Sequence, residues 1–493
     1  MDVQDITTVL VFLVTFLLAY LATRRRRGVP PGPPLFPIVG NLPQLASRDV
    51  LGRLNGFRKT YGDIFALYVG SELTIFLNGY DALYKTLVKN GTLFNARPRS
   101  GFDALVVKNP GIIMAHDQLW KEQRQFIQAA IHRVCMNNSG EALENLVHRE
   151  VDALVEEIGE IDGQFDIKDF INVAIANVTC TFLYGTRFNF GDSGILRAMS
   201  TLRDSTEDTM TVTTLCNCFP ALGKLPFDIV GAKKIIVRYH KVVDYLRQFL
   251  PKSEEEETKG EPTVANMYLD KVVECVRDGR KNTFTHQQME ITLFDMFGAG
   301  TETSANTIRW GLLYLTQNLD VQERMFHEIS GVLGNKQPSY AVRNQLPYSH
   351  AVQLEVLRCR TVAPLGVPHS VRRDAIIDGF LFPENCTVMT NLHSVNVDSN
   401  LWQDPDLFHP ERFLNEALDE VIVPKHFIPF SVGPRSCLGE TIARVEIFIF
   451  LVTLVQHFKI LPVKEGFSPD MNGSLGLTWA PENFKIIIEK RKH

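Results

Sequence analysis

Residues 430–439 read Phe-Ser-Val-Gly-Pro-Arg-Ser-Cys-Leu-Gly, and a helical pattern of apolar residues follows from near Cys437 to Gln456. The stretch fits F-x-x-G-x-R-x-C-x-G, which has too many fixed positions to arise readily by chance. A cysteine where a helix begins lies beside free backbone N–H groups and the positive end of the helix dipole, and both stabilise a thiolate. An isolated buried cysteine is usually only a small apolar residue. Cys437 instead stands where the helical pattern begins, in a tight turn that Gly433 permits.

A second pattern lies inside a long helical segment from Thr285 to about Gln317. Here Ala299-Gly300-Thr301-Glu302-Thr303-Ser304 fits [A/G]-G-x-[D/E]-T-[T/S]. Read as ordinary helix, the glycine would cost about 1 kcal/mol and the threonine would have no role. A threonine hydroxyl can, however, bond a backbone carbonyl one turn earlier and loosen the helix into a groove. The segment therefore predicts an acid and an alcohol side by side at a ligand site.

A third pattern is a pair of charges, Glu355 and Arg358, at a spacing that places both on one helix face. An exposed pair of this kind contributes about 0 to 1 kcal/mol, so the spacing alone says little. Downstream, Pro410-Glu411-Arg412-Phe413 supplies a further arginine.

Taken together and in this order, these patterns resemble the cytochrome P-450 family, most closely the animal microsomal group that oxidises drugs, steroids and fatty acids. The resemblance extends from the N-terminal apolar segment to the C-terminal strands. It implies a mainly α fold with small β-sheets and heme b as the cofactor, with Cys437 as the axial ligand of the heme iron. Thiolate ligation favours cleavage of the O–O bond. Backbone N–H groups near Leu438 and Gly439 would moderate the charge on the sulfur, and Phe430 would cover it.

The resemblance also assigns roles to residues outside the loop. Glu302 and Thr303 would be the catalytic pair, with Glu302 relaying protons from solvent and Thr303 donating a hydrogen bond where oxygen is activated. The heme propionates would be bound by Arg97, Trp120, Arg124, His369 and Arg435. Of these, Trp120 and Arg124 are four residues apart and share a helix face. Glu355, Arg358 and Arg412 would form a buried structural network.

The segments that line the substrate pocket in this family are apolar here. They contain Phe102, Leu105, Val106, Ile112, Ile113, Phe294, Phe297, Ala299, Val362, Leu365, Val367, Leu475 and Leu477. Each of these residues could equally be ordinary core. As a set they predict a lipophilic substrate with few compulsory polar contacts, and sterols, fatty acids, retinoids and foreign compounds all fit that description.

The N-terminus predicts a membrane anchor. Residues 6–22 carry no charge and at about 1.5 Å per residue span roughly 25 Å, near the lower limit for a bilayer crossing. A cleaved signal peptide would need a basic start, but Asp2 and Asp5 precede the apolar run. Residues 24–27, all arginine, follow it and should keep the chain beyond them cytosolic. We therefore expect a single-pass protein of the endoplasmic reticulum membrane.

The apolar N-terminal run, the arginines after it and the prolines that follow divide the chain into three segments. Residues 1–28 form the anchor and its basic stop, residues 29–40 a stiff proline-rich hinge, and residues 41–493 one heme-containing catalytic domain. Hydrophobic residues make up 45% and charged residues 22%, which is typical of a folded globular chain. A net charge of -5 argues against general nucleic-acid binding. The cysteines are scattered and fit reduced thiols better than a disulfide framework.

The predicted function is a monooxygenase that inserts one oxygen atom of O2 into a lipophilic small molecule. The resemblance implies electrons from NADPH through a diflavin NADPH-cytochrome reductase, with cytochrome b5 as a possible auxiliary. Lys121, Arg133, Lys425, His426 and Arg444 could form a basic docking face for such a partner. Two alternatives stay open: a heme-thiolate peroxide isomerase or dehydratase that needs no NADPH, and a non-enzymatic heme-based gas sensor. The Glu302-Thr303 pair weighs against the first, because those relatives commonly lack it.

Overall fold

The structure is a computed structural model, and it describes residues 14–15, 25–47, 49–98, 110–135, 140–218, 228, 230–251, 262–279, 282–463 and 470–492. Helices dominate these residues. In chain order they are α1 Leu42–Leu45, α2 Val50–Tyr61, α3 Gly79–Tyr84, α4 Asp117–Cys135, α5 Glu141–Gly159, α6 Lys168–Tyr184, α7 Ser193–Cys218, α8 Ala232–Arg247, α9 Val264–Asp278, α10 His286–Gln317, α11 Leu319–Leu333, α12 Pro347–Cys359, α13 His393–Asn396 and α14 Glu440–His457. A π-helical turn, Lys85–Lys89, continues α3, and 3-10 turns lie at Tyr340–Gln345 and Pro410–Phe413.

The strands are short and form small separate sheets. They are β1 Ile64–Val69, β2 Glu72–Asn78, β3 Phe165–Asp166, β4 His369–Ser370, β5 Ala375–Ile377, β6 Phe380–Phe382, β7 Thr387–Asn391, β8 Phe458–Pro462, β9 Ser474–Leu475, β10 Trp479–Ala480 and β11 Lys485–Lys490. The largest sheet has the order β1-β2-β7-β4, with β2 parallel to β7 and the other pairs antiparallel. The remaining sheets are β3-β11-β8, β5-β6 and β9-β10.

The helix predicted from Thr285 to about Gln317 is confirmed as α10, and several other elements also have ends that carry strong local signals. Asp49 caps α2 by accepting a hydrogen bond from the Gly52 N–H, and Thr285 caps α10 in the same way through Gln288. The paired strands β1 and β2 turn around Gly70, which has φ of 62°. The final helix was predicted to begin near Cys437, but it begins at Glu440. The three residues before it belong to the loop.

The long helix α10 runs through the core and positions the rest of the site. It has 32 residues, and nearly every side chain from Ser304 to Thr316 is buried. Two glycines allow neighbouring helices to come close to it. A Cβ at Gly300 would lie 3.3 Å from Thr179 of α6, and a Cβ at Gly311 would lie 2.9 Å from Leu451 of α14. The glycine that looked costly in the sequence therefore serves helix packing.

The proline-rich segment packs on the body of the protein. The Ala66 N–H of β1 donates to the Pro31 carbonyl at 2.7 Å, and Arg25 donates from Nη1 to the Ala66 carbonyl at 3.0 Å. The predicted anchor lies outside the described residues, apart from residues 14 and 15. Among the residues that the structure describes, no helix combines the length and apolar character that a bilayer crossing requires.

Candidate active site

The cysteine loop is a compact turn held by its own backbone. The Cys437 N–H donates to the Phe430 carbonyl at 3.0 Å, and the Ser436 N–H donates to the Gly433 carbonyl at 3.1 Å. Gly433 has φ of 84°, and a Cβ there would lie 2.1 Å from the Leu87 carbonyl oxygen. Only glycine fits this position, because a side chain would be strained and would collide with backbone. The loop is thus pressed against the π-helical turn that contains Leu87.

The thiol of Cys437 opens on an interior space. Its side chain is accessible to solvent, yet burial is the largest influence on its pKa, which lies above the ordinary value. An accessible group with little bulk water around it faces a cavity rather than the outer surface. The Gly439 N–H bonds the sulfur and opposes the effect of burial, as expected for an N–H that moderates its charge.

The predicted contribution of a backbone N–H group to a Cys437 thiolate is therefore present, and the helix itself begins further from the cysteine than expected. Helix α14 begins three residues after the cysteine, and burial outweighs the helping N–H and the charge of Arg124. A bound metal cation deprotonates a coordinating thiol outright. The sulfur is thus suited to become a thiolate when a metal binds it.

Three guanidinium groups converge near this loop, and backbone carbonyls are their main hydrogen-bond acceptors. Arg124 Nη2 donates to the Ser436 carbonyl at 2.9 Å. Arg435 donates from Nε to the Asn95 carbonyl at 2.8 Å, and Arg97 donates from Nη1 to the Val367 and Pro368 carbonyls at 2.9 and 2.8 Å. Within the part of the chain that the structure describes, none of the three forms an ion pair with a carboxylate.

Their charges act on one another. Burial, followed by the charge of Arg124, lowers the pKa of Arg97 to about 9. Burial, followed by the charges of Arg97 and Arg124, lowers the pKa of Arg435 to about 8. Buried cations that repel one another are stabilised by a bound anion. This donor set therefore fits a ligand with two negative groups, as the propionates of heme are.

Trp120 and His369, the other predicted propionate contacts, lie in the same place. The Arg435 guanidinium stacks 4.1 Å from the centre of the Trp120 ring. His369 Nδ1 lies 2.7 Å from the Phe94 carbonyl oxygen, which fixes that nitrogen as the donor. Burial, then the charge of Arg97, lowers the pKa of His369 to about 3. The structure thus brings together all five residues that the resemblance assigned to the propionates.

Glu302 and Thr303 occupy the middle of α10. The Thr303 hydroxyl donates to the Ala299 carbonyl at 2.6 Å, the one-turn-back bond that was expected. The helix nevertheless stays continuous from His286 to Gln317. Ala299 is exposed, whereas Phe297 and Thr301, two residues before and after it, are buried. Glu302 accepts a hydrogen bond from the Thr478 hydroxyl at 2.6 Å.

The charge network around Glu355 is fully internal. Arg358 donates to both carboxylate oxygens of Glu355, at 2.7 and 2.8 Å, and Arg412 Nε donates to Oε1 at 3.0 Å. The His409 N–H is a further donor, at 2.8 Å. Glu355 and Arg358 have no side-chain exposure, and Arg412 has 7%. Removing one partner from such a network typically costs about 3 to 5 kcal/mol.

The predicted pocket residues differ in exposure. Leu477 is 48% exposed, and Ile113, Phe294, Val362, Val367 and Leu475 are partly exposed. Phe297 is fully buried in the main core, and Ile112 and Leu365 are nearly so. Phe102, Leu105 and Val106 lie outside the described residues.

Two of the five residues predicted to form a basic docking face, Arg444 and His426, contact neighbouring side chains. Arg444 pairs with Glu440 at 2.9 Å and lies 4.9 Å from the Phe430 ring. His426 packs on the Trp402 ring, and burial lowers its pKa, so it is mainly neutral. Lys121, Arg133 and Lys425 are exposed.

Sequence reasoning missed the polar partners of the site. Asp295, two turns before Thr303, accepts a hydrogen bond from the Ile113 N–H at 2.9 Å, and burial raises its pKa to about 7. Glu446 of α14 accepts from the Ser304 hydroxyl at 2.6 Å, and burial raises its pKa to about 8. The available signal for both was an acid with apolar neighbours on each side within a helical pattern.

Comparisons with known proteins agree with this site. Residues 30–488 match the family model described as Cytochrome P450. Cytochrome P450 2U1 of Homo sapiens is 31% identical over 504 residues, which cover 96% of this chain and 91% of that protein. Cytochrome P450 2H1 of Gallus gallus is 31% identical over 474 residues, covering 94% of each chain. Cytochrome P450 2C6 of Rattus norvegicus is 32% identical over 470 residues, covering 93% of this chain and 94% of that protein.

The chain therefore belongs to the cytochrome P450 family. It is a heme-binding oxidoreductase of the monooxygenase type, and its cofactor is heme b. The accessible Cys437 thiol and the three converging guanidinium groups fit that cofactor.

Proposed function

We propose that this protein is a membrane-anchored monooxygenase that inserts one oxygen atom of O2 into a lipophilic small molecule. NADPH supplies the electrons through a diflavin reductase, and cytochrome b5 assists. The observation that carries the proposal is the co-occurrence of an accessible thiol at Cys437 with an acid and an alcohol at positions 302 and 303.

The chain's own groups would divide the work. Cys437 ligates the iron, and Arg97, Trp120, Arg124, His369 and Arg435 hold the propionates. The heme, when bound, supplies the iron at which O2 is reduced and split. Glu302 would relay protons from solvent to the active site. The Thr303 hydroxyl would donate a hydrogen bond at the place where oxygen is activated. The apolar residues around Val362, Ala299 and Leu477 exclude water from a lipophilic substrate.

The same proposal includes the placement of the protein. Residues 1–28 anchor it in the endoplasmic reticulum membrane, and the catalytic domain of residues 41–493 lies in the cytosol. Residues 29–40 form the proline-rich hinge between the two. The reductase approaches the face that carries Lys121, Arg133 and Lys425, which are exposed cations near the cysteine loop and α4.

Reconstitution tests the proposal directly. The purified protein is combined with a diflavin NADPH-cytochrome reductase and a lipid extract, and products are sought by untargeted mass spectrometry under labelled O2. We expect products that carry one labelled oxygen and that vanish without NADPH. Cys437→Ser is the matched inactive control. Products formed equally well without NADPH would favour the isomerase or dehydratase alternative, and heme binding without any turnover would favour a sensor.

A further inference from the structure

The turn between β9 and β10 is tied to helix α10 at two points. The Thr478 hydroxyl donates to Glu302 Oε1 at 2.6 Å, and Trp310 Nε1 donates to the Trp479 carbonyl at 2.9 Å. Residues 302 and 310 are about two turns apart on the helix. Two consecutive residues of the hairpin thus fix its position along α10.

Hydrogen bonds and ring contacts hold the hairpin on both sides of its tip. The Trp479 N–H donates to the Val362 carbonyl at 2.7 Å, and the Gly476 N–H donates to the Thr478 carbonyl at 3.0 Å, which closes the turn. Arg360 stacks on both Trp310 and Trp479, 4.9 and 4.6 Å from their ring centres. At the tip, Leu477 is 48% exposed, whereas Thr478 beside it is only 8% exposed.

The hydroxyl of Thr478 has a specific effect on the acid beside the catalytic alcohol. A hydrogen bond donated to a carboxylate is stronger than one between neutral groups and restricts the side chain to one orientation. Glu302 is partly exposed, and this hydrogen bond holds its Oε1 on the side of the hairpin. The contact therefore selects one carboxylate position next to Thr303.

We propose that Thr478 is a positioning residue for Glu302, and that the hairpin of residues 474–480 connects the substrate-contacting tip at Leu477 to the proton-relaying carboxylate. The inference rests on the proposed monooxygenase function. A substrate pressing on Leu477 acts on the neighbouring residue, which in turn holds Glu302. Efficient oxygen use thereby depends on contact between the substrate and the tip.

The first experiment measures the contact without any reaction. Thermal unfolding of the heme-loaded protein is compared for wild type, Thr478→Val, Glu302→Ala and the double variant. Valine has the same shape as threonine and lacks only the hydroxyl. We expect Thr478→Val to lower the melting temperature in the wild-type background and to have no such effect once Glu302 is gone. Additive effects would overturn the proposal.

The second experiment measures whether loss of the Thr478 hydroxyl lowers the efficiency of oxygen use. Product formed per NADPH and the spectral dissociation constant of the substrate are determined for Thr478→Val, Thr478→Ser and the control Thr316→Val. Thr316 is a buried residue of α10 whose hydroxyl bonds only within its own helix, to the Leu313 carbonyl. We expect Thr478→Val to lower product per NADPH on the order of 3- to 10-fold at unchanged substrate binding, because one hydrogen bond to a charged group is lost. Serine should restore the ratio, and the control should keep it.

A merely structural contact would give non-additive melting temperatures with unchanged product per NADPH, and that result would overturn the proposal. Failure of the proposed function is distinguishable, since wild type would then form no NADPH-dependent product. The unfolding comparison would still report whether Thr478 holds Glu302.

Discussion

Thr303 could have a catalytic role or could be an ordinary threonine of a helix, and these two roles can be distinguished by experiment. Its hydroxyl bonds the Ala299 carbonyl, a one-turn-back bond that a mid-helix threonine commonly makes. Two other threonines of α10 make the same bond, Thr301 to Phe297 and Thr307 to Thr303. Position beside Glu302, rather than the bond itself, distinguishes Thr303.

Thr303→Ala should spare binding and impair the use of oxygen. The change leaves Cys437, the guanidinium donors and the apolar pocket intact, so heme and substrate should bind normally. Without the hydroxyl, protons are misdirected and hydrogen peroxide is released. General acid-base contributions are about 10² to 10⁴-fold, and water can partly substitute, so we expect a loss of product per NADPH near the lower end. Thr303→Ser should recover most of it. Unchanged product per NADPH and unchanged peroxide in the alanine variant would mean that Thr303 is only a helix residue.

At the scale of elements, the cysteine loop depends on contact with another part of the chain. Gly433 lies against the Leu87 carbonyl, and Pro434 lies near Gly91, where a Cβ would be 2.8 Å away. The motif predicted a glycine for the turn. It could not predict this partner, because Leu87 is far away in the sequence.

Gly433→Ala should prevent stable heme incorporation. The added Cβ would need an unfavourable φ and would collide with a backbone oxygen that cannot move away easily. Gly331→Ala is the matched control, because that residue lies in α11, away from the cysteine loop, and no heavy atom lies within 4 Å of the added Cβ. We expect a low heme-to-protein ratio for the first variant and a normal ratio for the second, measured on purified protein. Equal ratios would contradict the account of the loop.

The contact between α10 and α14 should make the stability of the folded protein depend on pH. Burial raises the pKa of Glu446 to about 8 from an ordinary value of 4.5. Between these values the folded protein binds more protons at this carboxyl than the unfolded chain does. Stability should therefore fall as pH rises from about 4.5 to about 8.

Glu446→Gln should remove this contribution. The amide stays neutral at every pH and can still accept the Ser304 hydrogen bond through its carbonyl oxygen. We expect the melting temperature of the variant to decline less than that of wild type as pH rises through this window. Identical slopes for the two proteins would show that Glu446 is ionised in the folded state.

Over the whole molecule, the sequence predicted what depends on nearby residues. The bounds of α10 follow from helical periodicity and from its capping residue, Thr285. The contact of Thr478 with Glu302 was not predictable, because the two residues are separated by 176 positions. The effect of burial on the pKa of Cys437 was not predictable either, since burial depends on how many distant segments surround the sulfur.

The orientation of the whole molecule can be tested with its glycosylation sequons. These begin at Asn90, Asn137, Asn177, Asn385 and Asn472. Asn177 is fully buried, whereas Asn385 and Asn472 are exposed and would be acceptable sites in the lumen. The sequon at Asn137 lies outside the described residues.

We predict that none of the sequons is used, because a cytosolic body never meets the luminal transferase. Endoglycosidase treatment of the native protein should leave its gel mobility unchanged. As a control, replacing the N-terminal segment with a cleavable signal peptide should send the body into the lumen and produce a mobility shift. A shift for the native protein would reverse the proposed topology.

The central claim is that Cys437 ligates the heme iron of this cytochrome P450 through a thiolate. The most direct measurement is the absorption spectrum of the reduced protein with carbon monoxide, for wild type and Cys437→Ser. We predict a red-shifted Soret band for wild type, because that band requires thiolate coordination, and its loss in the serine variant. A serine variant that kept both the shifted band and the activity would contradict the assignment of Cys437.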